Sequence, residues 1–317
     1  MRSIDNQLTR QTATSEGRRG MFGRLLQCVL LAAGVVASSG SFAAIADLNT
    51  FCSTCIDLTD AGASSGAIDG TSPDDGDGLG LFQVLAVQPA GTGKINSFLR
   101  IQRTKPKRGM QQGYNTGGLT EFDTKEVPGP GGSNFTRAIQ LDEIPVVDID
   151  GIAYREFKLD INEPNGKKSL LSLDELRLFT DVGSDLTGYN TGSNQLGGKD
   201  AVWDLDANSD VDLILDYSLS SGSGESDLVF YVQSDVFGAD ESQYVYMYNK
   251  FGDTYITGPN KRGKEVVKLD ARASAGFEEW WHEEATSPPN EVPAPSIAWL
   301  FGIGLAGMAS LRRRSRL

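Results

Sequence analysis

The chain has 317 residues, with 29 Lys and Arg against 42 Asp and Glu, for a formal net charge of −13. That acidity argues against binding nucleic acid or anionic lipid, because a negative field repels both. Three cysteines and a single histidine, His282, leave no second Cys/His pair for a zinc site of the usual kind.

At the N-terminus, Arg18, Arg19 and Arg24 precede the apolar run Leu25–Ala37, and small residues fill Ser38–Ala43. These are the charged, apolar and cleavage regions of a secretory signal. Ser41 and Ala43 suit cleavage after Ala43; Ala44 and Ala46 suit cleavage after Ala46. Twenty residues before Met21 are long for a charged region, so Met21 is a candidate start. Cys28 has no lipobox before it, which argues against a lipoprotein. Residues 1–46 are read as the signal peptide and 47–284 as the folded domain.

Residues 47–290 keep 20 basic and 39 acidic side chains, a formal charge of −19. Solubility and an affinity for divalent cations both fit that charge. Cys52-Ser-Thr-Cys55 comes first. Its spacing is that of a redox pair, but a redox motif needs a strand before it and a helix after it. The signal cleavage zone and a Gly/Ser/Asp-rich stretch flank it instead, so a local structural disulfide is expected in an exported chain. Leu58–Gly80 reads as a surface loop.

Strand periodicity then dominates. Phe157, Leu159 and Ile161 alternate with Glu156, Lys158 and Asp160, and Val211–Leu219 alternates in the same way. Leu79–Val87, Ile95–Ile101, Phe135–Leu141, Leu170–Phe179, Leu228–Val232, Tyr244–Tyr248 and Tyr255–Thr257 are further strands. Arg100–Arg108 reads as a solvated basic loop broken by Pro106. Asp150-Gly151 and Asn165-Gly166 are hairpin signals. Nine or ten short strands with Gly/Pro punctuation predict an all-β fold, an antiparallel β-sandwich or jelly-roll-like domain. The pentapeptide Gly-Tyr-Asn-Thr-Gly occurs at 113–117 and at 188–192. It predicts two similar turns, each with an exposed tyrosine.

Three groups of residues bear on chemistry. Asp204, Asp206, Asn208, Asp210 and Asp212 place oxygen at every second position, as in a calcium loop. Ser209 replaces the sharp-turn glycine and Leu215 stands where the closing glutamate belongs. Calcium binding and a plain polar turn both fit. Tyr244, Tyr246 and Tyr248 share one strand face; exposed, they form a platform for sugar rings, and buried, they are core. His282 lies in Phe277-Glu-Glu-Trp280-Trp281-His282-Glu-Glu. No G-x-S-x-G or free cysteine accompanies it as a nucleophile, so the segment reads as a closing strand or short helix that packs tryptophan.

The C-terminal residues carry the strongest signal. Four of the twelve prolines fall in residues 288–295, predicting an extended strip. Ser296–Leu311 then runs for sixteen uncharged residues, short for a span that needs about 20. Arg312, Arg313 and Arg314 follow, and positive charge stays cytoplasmic. Val292-Pro293-Ala294-Pro295, the apolar run and the arginines together resemble the PEP-CTERM sorting signal of Gram-negative bacteria that make extracellular polysaccharide. Ala294 stands where that family usually has Glu. The resemblance covers residues 291–317. It implies a C-terminal transmembrane helix, recognition and cleavage by the membrane protease exosortase, and a destination at the cell envelope or in the matrix. An uncleaved tail anchor is the competing reading. With an N-terminal signal helix as well, the sequence describes an exported, non-enzymatic surface or matrix protein. Calcium would bridge it to acidic polymer. The alternatives are a carbohydrate-binding module and a secreted hydrolase.

Overall fold

A computed structural model describes residues 52–59, 65–70, 78–84, 95, 97–105, 107–125, 135–166, 168–220, 226–274 and 276–283. The signal peptide, the 285–295 linker, the 296–311 run and the 312–317 cluster lie outside these residues. Among the described residues, no helix is long and apolar enough to cross a membrane.

Strands form where apolar side chains alternate. In chain order they begin β1 (Ile56–Leu58), β2 (Ser65–Asp69), β3 (Leu79–Gln83), β4 (Ser97–Ile101), β5 (Gln111–Tyr114) and β6 (Ile139–Gln140). The middle of the chain gives β7 (Val146–Ile149), β8 (Ile152–Asp160), β9 (Leu170–Asp181), β10 (Tyr189–Asn190), β11 (Gln195–Leu196) and β12 (Trp203–Asp204). Then follow β13 (Leu213–Asp216), β14 (Leu228–Gln233), β15 (Tyr244–Phe251), β16 (Tyr255–Pro259), β17 (Glu265–Asp270) and β18 (Glu278–Trp281).

Fourteen of them form two seven-stranded sheets, and β10–β11 and β16–β17 form two separate hairpins. The first runs β1-β13-β9-β15-β5, with β12 also on β9 and β6 also on β15. The second runs β2-β3-β14-β8-β18-β4, with β7 also on β8. Pairing is antiparallel except between β1 and β13. The fold is therefore all-β, as the periodicity predicts. In the closing segment, Glu278–Trp281 form a strand, β18.

One core joins the sheets. Leu173, Leu178, Leu213 and Met247 from the first pack with Phe82, Phe157, Phe230 and Trp280 from the second. Trp203 lies at its centre, fully buried, 4.9 Å from the Phe230 ring and 6.2 Å from the Phe82 ring. Its indole N–H donates to the Gly78 carbonyl at 2.7 Å. Gly80 has to be glycine for this ring to fit: a Cβ there would stand 2.5 Å from indole Cζ2.

Several expectations need correction. Within Leu58–Gly80, residues 65–69 are not loop but β2, an edge strand paired along β3. Gly70 and Gly80 beside it suppress the apolar pattern because they leave room for Trp203. The Val211–Leu219 strand stops at Asp216, whose Oδ1 accepts from Ser218 N and Oγ and so competes with the ladder. Asp150-Gly151 does close a hairpin, β7 to β8, with φ of 55° and 84°. Asn165-Gly166 does not, because β8 and β9 belong to different sheets. The basic stretch at 100–108 is not uniformly solvated. Arg103 is buried, Arg100 pairs with Glu279 at 2.5 Å, and Arg108 reaches Asp270 at 3.2 Å.

Trp203→Ala is expected to cost about 3–5 kcal/mol, and Gly80→Ala about 1–3 kcal/mol by overpacking. In a Trp203→Ala background the Gly80→Ala cost should shrink, because the ring it strikes is gone. Urea unfolding of the three variants measures this; strictly additive costs would refute the contact.

Candidate functional site

The outer face of the first sheet, away from the shared core, carries Glu175 and Arg177 on β9 and Tyr244, Tyr246, Tyr248 and Lys250 on β15. Both ends of this face are covered. At one end the β10–β11 hairpin brings Tyr189 and Leu196 onto Tyr114, Phe179, Tyr246 and Tyr248. Tyr189 stacks on Tyr248 with ring centroids 3.7 Å apart and planes 11° from parallel. Tyr246 donates to Gly183 O and accepts from Leu186 N. At the other end, the β16–β17 hairpin and the Cys52–Cys55 disulfide lie over Ile214, with Leu269 and Ala271 buried beside Cys55.

The sugar platform is thereby overturned. Tyr246 and Tyr248 are buried and Tyr244 is half-buried. They do share one strand face, but that face is a covered one. Trp280 is likewise fully buried. The two pentapeptide tyrosines are not exposed either. Tyr114 and Tyr189 lie 6.5 Å apart, ring to ring, under the same cover. Glu121 joins them, accepting from Tyr114 OH at 2.8 Å and from Tyr189 N at 3.3 Å.

Between the two covers lies an open groove of about 520 Å³. Asp174, Glu175, Asp206, Asp210, Asp212 and Asp253 line it, with Arg177, Lys250, Thr254, Tyr255 and Ile256. A β-bulge shapes it. Lys250 pairs with Glu175 but Phe251 pairs with Leu173, so Asp174 is the extra residue. Bulges re-aim side chains in this way, and Asp174 turns to meet the β15–β16 connection. Its Oδ2 accepts from Asp253 N at 2.8 Å.

Thr254 Oγ1 lies 2.9 Å from Asp174 Oδ1 and also 2.9 Å from Asp212 Oδ2. A hydroxyl has one proton to donate. Both contacts are hydrogen bonds only when one carboxyl is itself protonated and donates to Oγ1. The electrostatics agree. Burial, with the Asp212 charge nearby, pushes Asp174 up to about 6. Burial also raises Asp212. Asp206 rises to about 7 through burial and the charge of Asp204.

The calcium-loop residues divide. Arg177, 3% exposed, holds Asp204 Oδ2 at 2.8 Å and Asp206 Oδ2 at 3.4 Å. Asp206 Oδ1 accepts from Val211 N at 3.0 Å, closing the turn on itself. Asn208 donates to Asp69 O at 2.8 Å. Asp206, Asp210 and Asp212 face the groove; Asp204 and Asn208 do not line it. These oxygens suit hard cations. Among the described residues, however, no three of the loop's carboxylates place one oxygen each within 4.8 Å of one another. The sequence offered no pointer to Asp253 and Thr254. Asp174, Glu175 and Arg177 were visible only as charges interrupting an apolar strand.

His282 is buried, with Nδ1 2.7 Å from the Glu283 carbonyl and its ring 5.8 Å from Phe98. A second buried acidic pair lies elsewhere. Glu278, fully buried, accepts from Gln111 Nε2 at 2.7 Å and Asn162 N at 2.8 Å. Glu163 accepts from Ser274 N at 2.7 Å. Burial pushes both carboxyls up, and the Glu163 charge adds to the rise at Glu278.

No protein-family model, curated protein or solved structure matches this chain.

The raised carboxyls fix a pH dependence. Each binds a proton in the folded state that the unfolded chain releases. Their stabilisation is complete below the ordinary carboxylate range and lost as pH rises through the folded values near 6 and 7. The melting temperature should therefore fall between about pH 5 and about pH 8, and Asp206→Asn should flatten that fall. A melting temperature that rises over this interval would contradict the assignment.

Proposed function

We propose that this chain is an exported, non-enzymatic protein of the envelope or extracellular polysaccharide matrix of a Gram-negative bacterium. Its domain is a β-sandwich delivered by a signal peptide and sorted through its C-terminal residues. The observation that carries this reading is the fixed order of Val292-Pro293-Ala294-Pro295, sixteen uncharged residues and Arg312–Arg314 at the C-terminus.

Two features of the domain support it. The Cys52–Cys55 disulfide is a bond kept in oxidising compartments such as those outside the cytoplasm. The acidic surface suits a soluble protein held beside other polymers. His282, the residue on which a hydrolytic reading rested, has its ring packed on Phe98 and Nδ1 at a backbone carbonyl. In this reading the domain is a rigid, disulfide-pinned scaffold, and an exosortase-type membrane protease is its processing partner. The membrane is a waypoint, occupied through Ser296–Leu311 until the tail is removed.

Intact-mass analysis of the surface species tests this in a Gram-negative host carrying an exosortase. The expected species begins at Ala44 or Asp47 and lacks Arg312–Leu317. Replacing Arg312, Arg313 and Arg314 with Gln should leave the tail uncut and the protein off the surface. A surface species that retains its C-terminal arginines would contradict the proposal.

A further inference from the structure

We propose that Cys52, Cys55 and Asp212 form a redox-gated site for a divalent cation of the zinc class, closed by the disulfide and opened by its reduction. The two cysteines have the C-x₂-C spacing at which thiolates share one metal. The sequence shows no third ligand. The fold supplies one from 157 residues away. Parallel pairing sets Ile56 against Leu213, and Ile56 N donates to Asp212 O at 2.8 Å. The residues just before the two strands, Cys55 and Asp212, are therefore side by side.

Cys55 Sγ lies 3.9 Å from Asp212 Oδ2. One ligand atom from each of Cys52, Cys55 and Asp212 lies within 4.8 Å of the other two. Among the described residues, this is the one group of three or more Cys, His, Asp and Glu side chains that meets that distance. Zinc binds sulfur at about 2.3 Å and carboxylate oxygen at about 2.0–2.2 Å, so a shared ion needs only small side-chain rotations from here. Ser53 and Thr54 are exposed, which lets the two sulfurs part and leaves a fourth position open to water.

The local field favours the cation. Asp210 and Asp253 in the adjoining groove add negative charge. Bare thiolates are disfavoured beside carboxylates, whereas a bound divalent ion keeps the thiols deprotonated. The chemistry balances. A dithiol reductant gives up two electrons and two protons and becomes a disulfide, while the Cys52–Cys55 bond becomes two thiols. The ion then displaces both thiol protons to solvent. The disulfide ties residue 52 only to residue 55, whereas the bound ion would tie both cysteines to Asp212 and so link the start of β1 to the start of β13. This holds whatever the destination of the chain.

The test uses the purified exported protein, oxidised or reduced with a phosphine, titrated anaerobically with Cd²⁺ and then Zn²⁺. The reduced protein should show a thiolate-to-Cd²⁺ charge-transfer band that saturates at one ion per chain and is displaced by Zn²⁺. The oxidised protein should show no such band, and Ca²⁺ should produce none in either form. Cys52→Ser should abolish the band. Asp212→Asn should weaken Cd²⁺ binding about tenfold or more, by analogy with the loss when a supporting carboxylate is removed. Absence of the band in folded, reduced protein would overturn the proposal, as would Cd²⁺ binding by Asp212→Asn equal to that of the parent.

Discussion

Arg177 holds the outer face of the first sheet together. Its guanidinium is almost wholly buried, yet it reaches four groups from different parts of the chain. Nη1 meets Glu175 on its own strand and Tyr189 OH, 3.1 Å away, in the covering hairpin. Nε and Nη2 hold Asp204 and Asp206, at the start of the acidic loop. A planar fork with five donors can serve several acceptors in this way, which a lysine cannot. The interaction ties β9, the β10–β11 cover and the 204–212 loop into one arrangement. Removing it would leave Asp204 and Asp206 without this cation in partly desolvated positions, while Glu175 would keep Lys250 at 3.3 Å.

The groove follows from that arrangement. A sheet whose outer face carries Tyr246, Tyr248, Phe179 and Ile214 cannot leave that face in water without a large exposed apolar patch. Two separate covers solve this, one aromatic and one built around the disulfide. They do not meet. The strip between them is where β9 and β15 carry charge, and where the bulge at Asp174 breaks the pairing register. The groove is thus the uncovered remainder of a largely buried surface. Its acidity comes from loop residues 206–212 and 253 converging on strand residues 174 and 175.

The parts of the fold that the sequence displayed are those with a local cause. β8 alternates because one face meets the core around Trp203 and the other carries Glu156, Lys158 and Asp160, so Phe157, Leu159 and Ile161 could be placed directly. The Asp150-Gly151 turn was legible because two positive φ values demand those residue types. Two-residue strands such as β10, β11 and β12 carry no such pattern, since their pairing is imposed by neighbours. β2 was hidden because the glycines near it, Gly70 and Gly80, make room for Trp203 rather than a turn. The tyrosine row shows the limit most clearly. Alternation said that Tyr244, Tyr246 and Tyr248 lie together, but the burial of that face depends on residues 183–196, about fifty positions earlier in the chain. At the groove, Asp206 and Asp212 stood out by spacing. Asp174, Asp253 and Thr254 meet only through a register shift that no local pattern encodes.

Arg177 is a local clasp, separate from the core around Trp203. Native-state hydrogen exchange on Arg177→Met tests this directly, because it reports the opening of each segment. The variant should lose protection across residues 186–196 and 203–211, while β8, β14 and β18 keep theirs. Equal loss of protection in both sheets, or none at the β10–β11 cover, would contradict the account.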